Sequence, residues 1–168
     1  MNTTVENRFY DFLDNEDLDY FIVFVNDYLI SSFKNSEPIP KINTEQIENL
    51  SNVLRRSTQK ISDVYLYKTF ESKIAFIFYT IIKNHYLENG NKRMASMIIC
   101  LITGIWAYDE EVRKDFSFVF DKIAQMAIYI AESKPEDKDI VLENIELSII
   151  DILKSFTNYV ETLETQDK

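Results

Sequence analysis

Apolar residues recur every three or four positions along most of the chain, and that spacing predicts amphipathic α-helices. The clearest helix carries an apolar face made of Ile74, Ile77, Phe78, Ile81 and Ile82. His85 continues this face four positions after Ile81, and the Glu-Asn-Gly-Asn sequence that follows favours a left-handed turn. A second helix is predicted from about Asn91, with apolar residues at the same period: Met94, Met97, Ile98, Leu101, Ile102, Ile105 and Trp106.

Two further helices are predicted before this pair. An acid-led amphipathic pattern over residues 15–33 predicts the first, although the run Tyr20–Val25 within it could alternatively form a strand. The connector Lys34–Lys41 contains two prolines and should be exposed. The next helix is expected to begin at a capping residue, either Asn43 or Thr44.

The remaining pattern predicts one short β element and two C-terminal helices. The run Val64–Tyr67 is rich in β-favouring side chains and too short for a helix, so a small hairpin or extended flap is expected. The C-terminal helices are predicted over residues 110–132 and 139–161, because Pro135 interrupts the pattern between them.

Composition supports an all-α fold. The 168-residue chain contains only two glycines and three prolines, whereas folds rich in β-structure need many tight turns. The proline-containing connector suggests an N-terminal helical extension, residues 1–37, followed by a helical domain, residues 38–168. No apolar run is long enough to span a bilayer and no secretory signal is recognised, so a cytoplasmic protein without a membrane partner is expected.

Charge and rare residues exclude several function classes. The net charge of −10 argues against a general nucleic-acid-coating surface, because neutralising phosphates requires excess Lys and Arg. The single cysteine, Cys100, lies in an apolar run and is interpreted as a core thiol. One histidine and one cysteine are too few for a metal-finger spacing.

The chemistry is concentrated between the two central helices, in His-Tyr-Leu-Glu-Asn-Gly-Asn-Lys-Arg. A turn at Gly90 that leads into a helix N-terminus points backbone N–H groups outward, which suits a phosphate. Lys92 and Arg93 add two cations, and His85 is a side chain that can exchange a proton near neutral pH. Taken singly, these are an ordinary turn, a solvated basic pair and a packed histidine. Together they favour a transfer reaction on a nucleotide phosphate.

This stretch resembles the signature of the Fic/Doc (death-on-curing) family, which runs His-x-Phe-x-acid-Gly/Ala-Asn-Gly/Lys-Arg. The resemblance implies the helical Fic fold with a short β-hairpin flap, ATP or another nucleoside triphosphate and Mg²⁺ as cofactors, and a protein hydroxyl as acceptor. His85 would be the general base, Asn91 and the amides around Gly90 would hold phosphate oxygens, and Arg93 would neutralise transition-state charge.

Two features resemble the Doc toxins rather than the AMP-transferring members. Lys92 stands where most AMP transferases have glycine, and Ser96 stands where they have a second arginine. Doc-type proteins resemble kinases and move the terminal phosphate onto a translation elongation factor. The resemblance therefore implies phosphoryl transfer with Lys92 in the catalytic set, such an elongation factor as a candidate substrate, and control by an antitoxin protein.

One position departs from the family pattern. The acidic magnesium ligand is replaced by Asn89, and Glu88 lies one position early, so both are expected to be weak metal ligands. AMP transfer and a catalytically degenerate nucleotide-binding or interaction module therefore stay as alternatives. The flap residues Val64, Tyr65, Leu66 and Tyr67 would dock the target by adding its backbone to the hairpin.

Overall fold

The computed structural model describes residues 9, 13, 17–34, 37–104 and 117–166, with side chains as far as residue 158. These residues form six α-helices, one short 3₁₀ turn and a two-stranded hairpin, which confirms the predicted all-α fold with a flap. In chain order the elements are α1 (Leu18–Ser32), α2 (Thr44–Ser57), β1 (Lys60–Ile61), β2 (Val64–Tyr65), α3 (Phe70–Lys83), α4 (Asn91–Ile102), α5 (Ser117–Glu132) and α6 (Lys138–Gln166).

The first helix is set by its cap and its period. The carboxylate of Asp17 accepts hydrogen bonds from the N–H groups of Asp19 and Tyr20, so the chain enters α1 as a helix. The alternative of a strand over Tyr20–Val25 is wrong. The side chains that α1 buries recur at helical rather than alternating spacing: Leu18, Ile22, Val25 and Leu29.

Capping boxes fix the start of the two helices that flank the hairpin. Asn43, rather than Thr44, caps α2, and it exchanges hydrogen bonds with Gln46. Thr69 and Ser72 form the same reciprocal pair at the start of α3. These local signals fix the start of α3, whose C-terminal end leads into residues 84–90, which we call the His85 loop.

Helix α3 lies at the centre of the fold and packs against α2, α4, α5 and α6. Its predicted apolar face is confirmed, because Ile74, Ile77, Phe78 and Ile81 are all fully buried. Burying each such side chain contributes about 1.5–3 kcal/mol relative to leaving it in water. The ammonium of Lys83, in the last turn, donates to the carbonyl of Ala131 at 3.3 Å and so holds this end of α3 against α5.

The hairpin is a tight antiparallel pair in which Lys60 lies opposite Tyr65. Its turn residues Ser62 and Asp63 have φ of 49° and 64°, as expected for the turn type that matches the twist of a two-residue hairpin. The N–H of Leu66 donates to the carbonyl of Gln59 at 3.0 Å and extends the pairing by one step.

Two expectations need correction, and two others lie partly outside the described residues. Helix α3 ends at Lys83, so His85 does not continue its apolar face; the imidazole is exposed and the residue has a φ of 49°. The last helix, predicted over 139–161, runs from Lys138 to Gln166. Ile105, Trp106 and the first part of the helix predicted over 110–132 lie outside the described residues, where α5 begins at Ser117. Within the described ranges, no helix is long and apolar enough to cross a membrane.

Candidate active site

The loop between α3 and α4 turns sharply at both of its ends. Helix α3 closes with the N–H of Asn84 donating to the carbonyl of Thr80 at 3.1 Å, and His85 then takes a left-handed backbone conformation. Few non-glycine residues do so, although histidine is among the more tolerant. The turn sends the His85 side chain away from the core into solvent. Gly90, with a φ of 93°, makes the second left-handed turn and leads into α4.

The side chain of Asn91 shapes this loop from inside. It is buried, its Nδ2 donates to the carbonyl of Leu87 at 2.7 Å, and its Oδ1 accepts from the N–H of Leu87 at 2.9 Å. Both polar groups of the amide therefore hold the loop backbone. A phosphate-binding role for Asn91 stays a prediction, and its backbone N–H is the group that could fill it.

The N-terminus of α4 presents amides that no side chain caps. Gly90 is the N-cap residue and offers no side-chain acceptor, and the first intrahelical bond joins the N–H of Met94 to the carbonyl of Gly90 at 2.8 Å. Among the helical N–H groups that precede Met94, those of Asn91 and Lys92 therefore have no helical acceptor. With the exposed ammonium of Lys92 beside them, they make a positively polarised end that suits an anion.

Arg93 and Asn89 hold the connector between α1 and α2 against the loop. The guanidinium of Arg93 donates to the carbonyl of Glu37 at 3.0 Å and lies 5.5 Å from the ring centroid of Phe33. The Nδ2 of Asn89 donates to the carbonyl of Pro38 at 2.9 Å, and its Oδ1 lies 3.5 Å from Nη2 of Arg93. No sequence pattern identifies the contacts with Glu37 and Pro38, because they join positions more than fifty residues apart.

The loop residues do not fit a preformed Mg²⁺ site. Mg²⁺ prefers carboxylate and phosphate oxygens in octahedral geometry. Asn89 offers only a neutral carbonyl, which faces the cationic Arg93, and the neighbouring Glu88 is exposed. In the described part of the chain, no group of three or more acidic, histidine or cysteine residues is placed so that it could hold a metal ion.

The flap alternates between outward and inward side chains. Val64 and Leu66 are exposed at 56% and 46% of their surface. The Tyr65 ring lies 4.8 Å from the ammonium of Lys73, whose side chain is fully buried, and Tyr67 stacks on Phe76 at 4.3 Å between ring centroids. Of the four predicted docking residues, the two aliphatic ones are therefore available on the surface, and the two tyrosines anchor the flap to α3.

An open groove of about 420 Å³ lies between α2 and the His85 loop. It is lined by Asn49, Asn52, Val53, Arg55, Arg56, Gln59 and Tyr86. The adjacent arginines Arg55 and Arg56 are visible in the sequence. That they share a groove with Tyr86 could not be predicted, because it depends on how α2 packs beside the loop.

Comparison with known proteins gives one family. A sequence model of the Fic/DOC family matches residues 17–103 of the 168, a range that includes α1 to α4, the hairpin and the His85 loop. No curated protein and no solved structure matches the chain. The chain belongs to the Fic/DOC family.

Proposed function

We propose that this protein is a Doc-like transferase that moves a phosphoryl group from a nucleoside triphosphate to a hydroxyl side chain of a target protein. Fic/DOC proteins generally transfer nucleotide-derived groups to proteins and use a nucleoside triphosphate with Mg²⁺. The observation that carries the proposal is the position of an exposed histidine and an uncapped, cation-flanked helix N-terminus on one short loop.

In the proposed reaction the imidazole of His85 accepts the proton of the target hydroxyl. The hydroxyl oxygen then attacks the γ-phosphorus, the bond from that phosphorus to the β–γ bridging oxygen breaks, and the nucleoside diphosphate leaves with the electron pair. The N–H groups of Asn91 and Lys92, the Lys92 ammonium and the Arg93 guanidinium offset the charge on the phosphate oxygens. No step is assigned to Mg²⁺, because the loop residues do not fit it.

The Doc-like form is proposed because α4 carries its two cations, Lys92 and Arg93, in the first turn only. Ser96 occupies the position of the second arginine of AMP transferases, so the helix has no further guanidinium to hold a differently oriented nucleotide. An elongation factor as substrate and an antitoxin as regulator belong to this proposal by family resemblance.

A second candidate, a catalytically degenerate nucleotide-binding or interaction module, is favoured by one observation. Asn89 donates to the carbonyl of Pro38, a bond that the family's carboxylate could not make. The position thus has a structural use here that is independent of catalysis.

Label transfer into a bacterial lysate distinguishes these candidates. ATP labelled at the α- or the γ-phosphate is supplied in parallel, with Mg²⁺, with Mn²⁺ or with a chelator. His85→Ala is the test variant, and Lys122→Ala, at an exposed position on helix α5, is the control. We expect γ-label on a discrete band that falls about 100-fold or more in His85→Ala. An α-label would assign AMP transfer, and no label from well-folded protein would favour the interaction module.

A further inference from the structure

The groove beside α2 is lined mainly by charged and hydrogen-bonding side chains. Arg55 and Arg56 supply two guanidinium groups, and three amide side chains, those of Asn49, Asn52 and Gln59, supply donors and acceptors. Tyr86, from the His85 loop, and Val53, which is buried, complete the lining. Such a lining suits an extended polar segment better than an apolar helix.

The two arginines are conspicuous in a chain with a net charge of −10. Both lie exposed in the last turn of α2, where cations also favour the helix dipole. Neither side chain forms an ion pair with a carboxylate among the residues that the structure describes. The dipole accounts for cations near the helix end, but it does not account for an unneutralised pair that lines a groove.

The groove adjoins the two parts of the proposed active site, which are the flap and the His85 loop. Gln59 lines the groove, and its backbone carbonyl holds the N–H of Leu66 in the flap. Burial raises the pKa of the Tyr67 phenol, and the positive charge of Arg56 partly opposes that rise. Arg56 therefore lies near Tyr67 of the flap. At the other end, Tyr86 directly follows His85. A segment paired along the flap therefore has the groove beside it.

We propose that this groove binds acidic side chains of the target protein near the acceptor hydroxyl, an inference that rests on the proposed protein-modifying function. Guanidinium groups bind carboxylates through two parallel hydrogen bonds, and the neighbouring amides can pair with the segment's backbone. The remaining acidic surface repels acidic chains in general. Arg55 and Arg56 thus make the attraction local and specify where an acidic residue must lie.

Binding and transfer are tested separately with short synthetic peptides. Each contains one serine, and the flanking residues are aspartate, asparagine or lysine in three otherwise identical versions. Binding of fluorescent versions is measured by anisotropy with the His85→Ala protein, in which no phosphoryl transfer disturbs the equilibrium. The same peptides, unlabelled, are offered to the wild-type enzyme with γ-labelled ATP.

Charge reversal identifies the groove. We expect the aspartate peptide to bind about tenfold more tightly than the asparagine peptide, and Arg55→Glu/Arg56→Glu to abolish that preference or transfer it to the lysine peptide. The matched control, Lys122→Glu/Lys134→Glu, changes the net charge equally at exposed positions away from the groove and should keep the preference. Equal binding of the aspartate and asparagine peptides would overturn the proposal.

The binding and the transfer measurements together also distinguish failure of this proposal from failure of the proposed function. If no peptide or lysate protein is labelled but charge reversal still inverts peptide binding, the transferase proposal fails and the acidic-segment groove stands. If serine peptides are labelled without regard to flanking charge, the transferase stands and the groove proposal fails. If charge reversal weakens ATP binding instead, the groove belongs to the nucleotide and the proposal is wrong.

Discussion

At the scale of the residue, Asn91 determines the shape of the candidate active site. Its amide donates to the Leu87 carbonyl and accepts from the Leu87 N–H, and the side chain is buried. Asn91→Asp keeps the acceptor but replaces the donor with an oxygen that faces a carbonyl. We expect the free energy of unfolding, measured by urea denaturation, to fall by about 1–3 kcal/mol.

The control for this change is Asn52→Asp, because it makes the same substitution at an exposed position inside helix α2. It should alter the free energy of unfolding by no more than ~0.5 kcal/mol. An equal effect of the two substitutions would mean that added charge, rather than the lost donor, destabilises the protein.

Gly90 is required for its backbone conformation and for its contact with the connector. Its φ is 93°, and a β-carbon there would lie 3.4 Å from the side chain of Ile39. Gly90→Ala is therefore expected to lower the free energy of unfolding by about 1–2 kcal/mol and to weaken nucleotide binding at the adjoining helix end. Thermal denaturation and titration with a fluorescent ATP analogue measure the two effects.

Gly104→Ala is the natural comparison, because Gly104 also has a positive φ of 74° but no atom of the described residues lies within 4 Å of its would-be β-carbon. It should show the backbone cost alone and leave nucleotide binding unchanged. If the two substitutions behave identically in both measurements, the contact with Ile39 has no influence on the loop.

At the scale of the element, the connector and α4 are joined by polar contacts to backbone carbonyls. Asn89→Asp restores the family's carboxylate but removes the donor to Pro38, so we expect the connector to detach more often. Trypsin should then cut more rapidly after Lys41 in native protein. Asn52→Asp should be cut at the wild-type rate, and unchanged cleavage of Asn89→Asp would show that the bond from Asn89 to Pro38 is not needed to hold the connector, which Arg93 and Asn26 also contact.

The sequence predicts what local periodicity and capping determine. Helix α3 follows from its apolar face, α2 is capped by Asn43, one of the two predicted capping residues, and α4 begins at Asn91 as expected. The exposed position of the His85 side chain could not be predicted. His85 itself has a left-handed backbone conformation that turns the chain after α3, and the spacing of apolar residues does not reveal such a turn. The contacts of Arg93 with the connector likewise depend on tertiary packing between distant segments.

At the scale of the whole molecule, the site depends on a core that holds α3 and α4 together, and Cys100 reports on that core. Cys100 lies on α4 and is 4% exposed, and burial raises its pKa from 9.0 to about 12. At pH 8 only about one thiol in ten thousand would be ionised in the folded state. Because the thiolate is the reactive species, Cys100 should react with thiol reagents only when the chain unfolds.

The same pKa difference predicts how stability changes with pH. Well below pH 9 the thiol is protonated in both states, and its burial causes no pH dependence. Between pH 9 and about 12 the unfolded chain loses the proton and the folded chain keeps it, so the free energy of unfolding falls by about 1.4 kcal/mol per pH unit. Urea denaturation at several alkaline pH values measures this slope.

Cys100→Ala should remove that part of the slope and keep the part due to tyrosines, such as Tyr67 and Tyr79, whose pKa burial also raises. Identical slopes in the two proteins would mean that Cys100 is already reached by water in the folded state, and that α4 does not seal the core beneath the active-site loop.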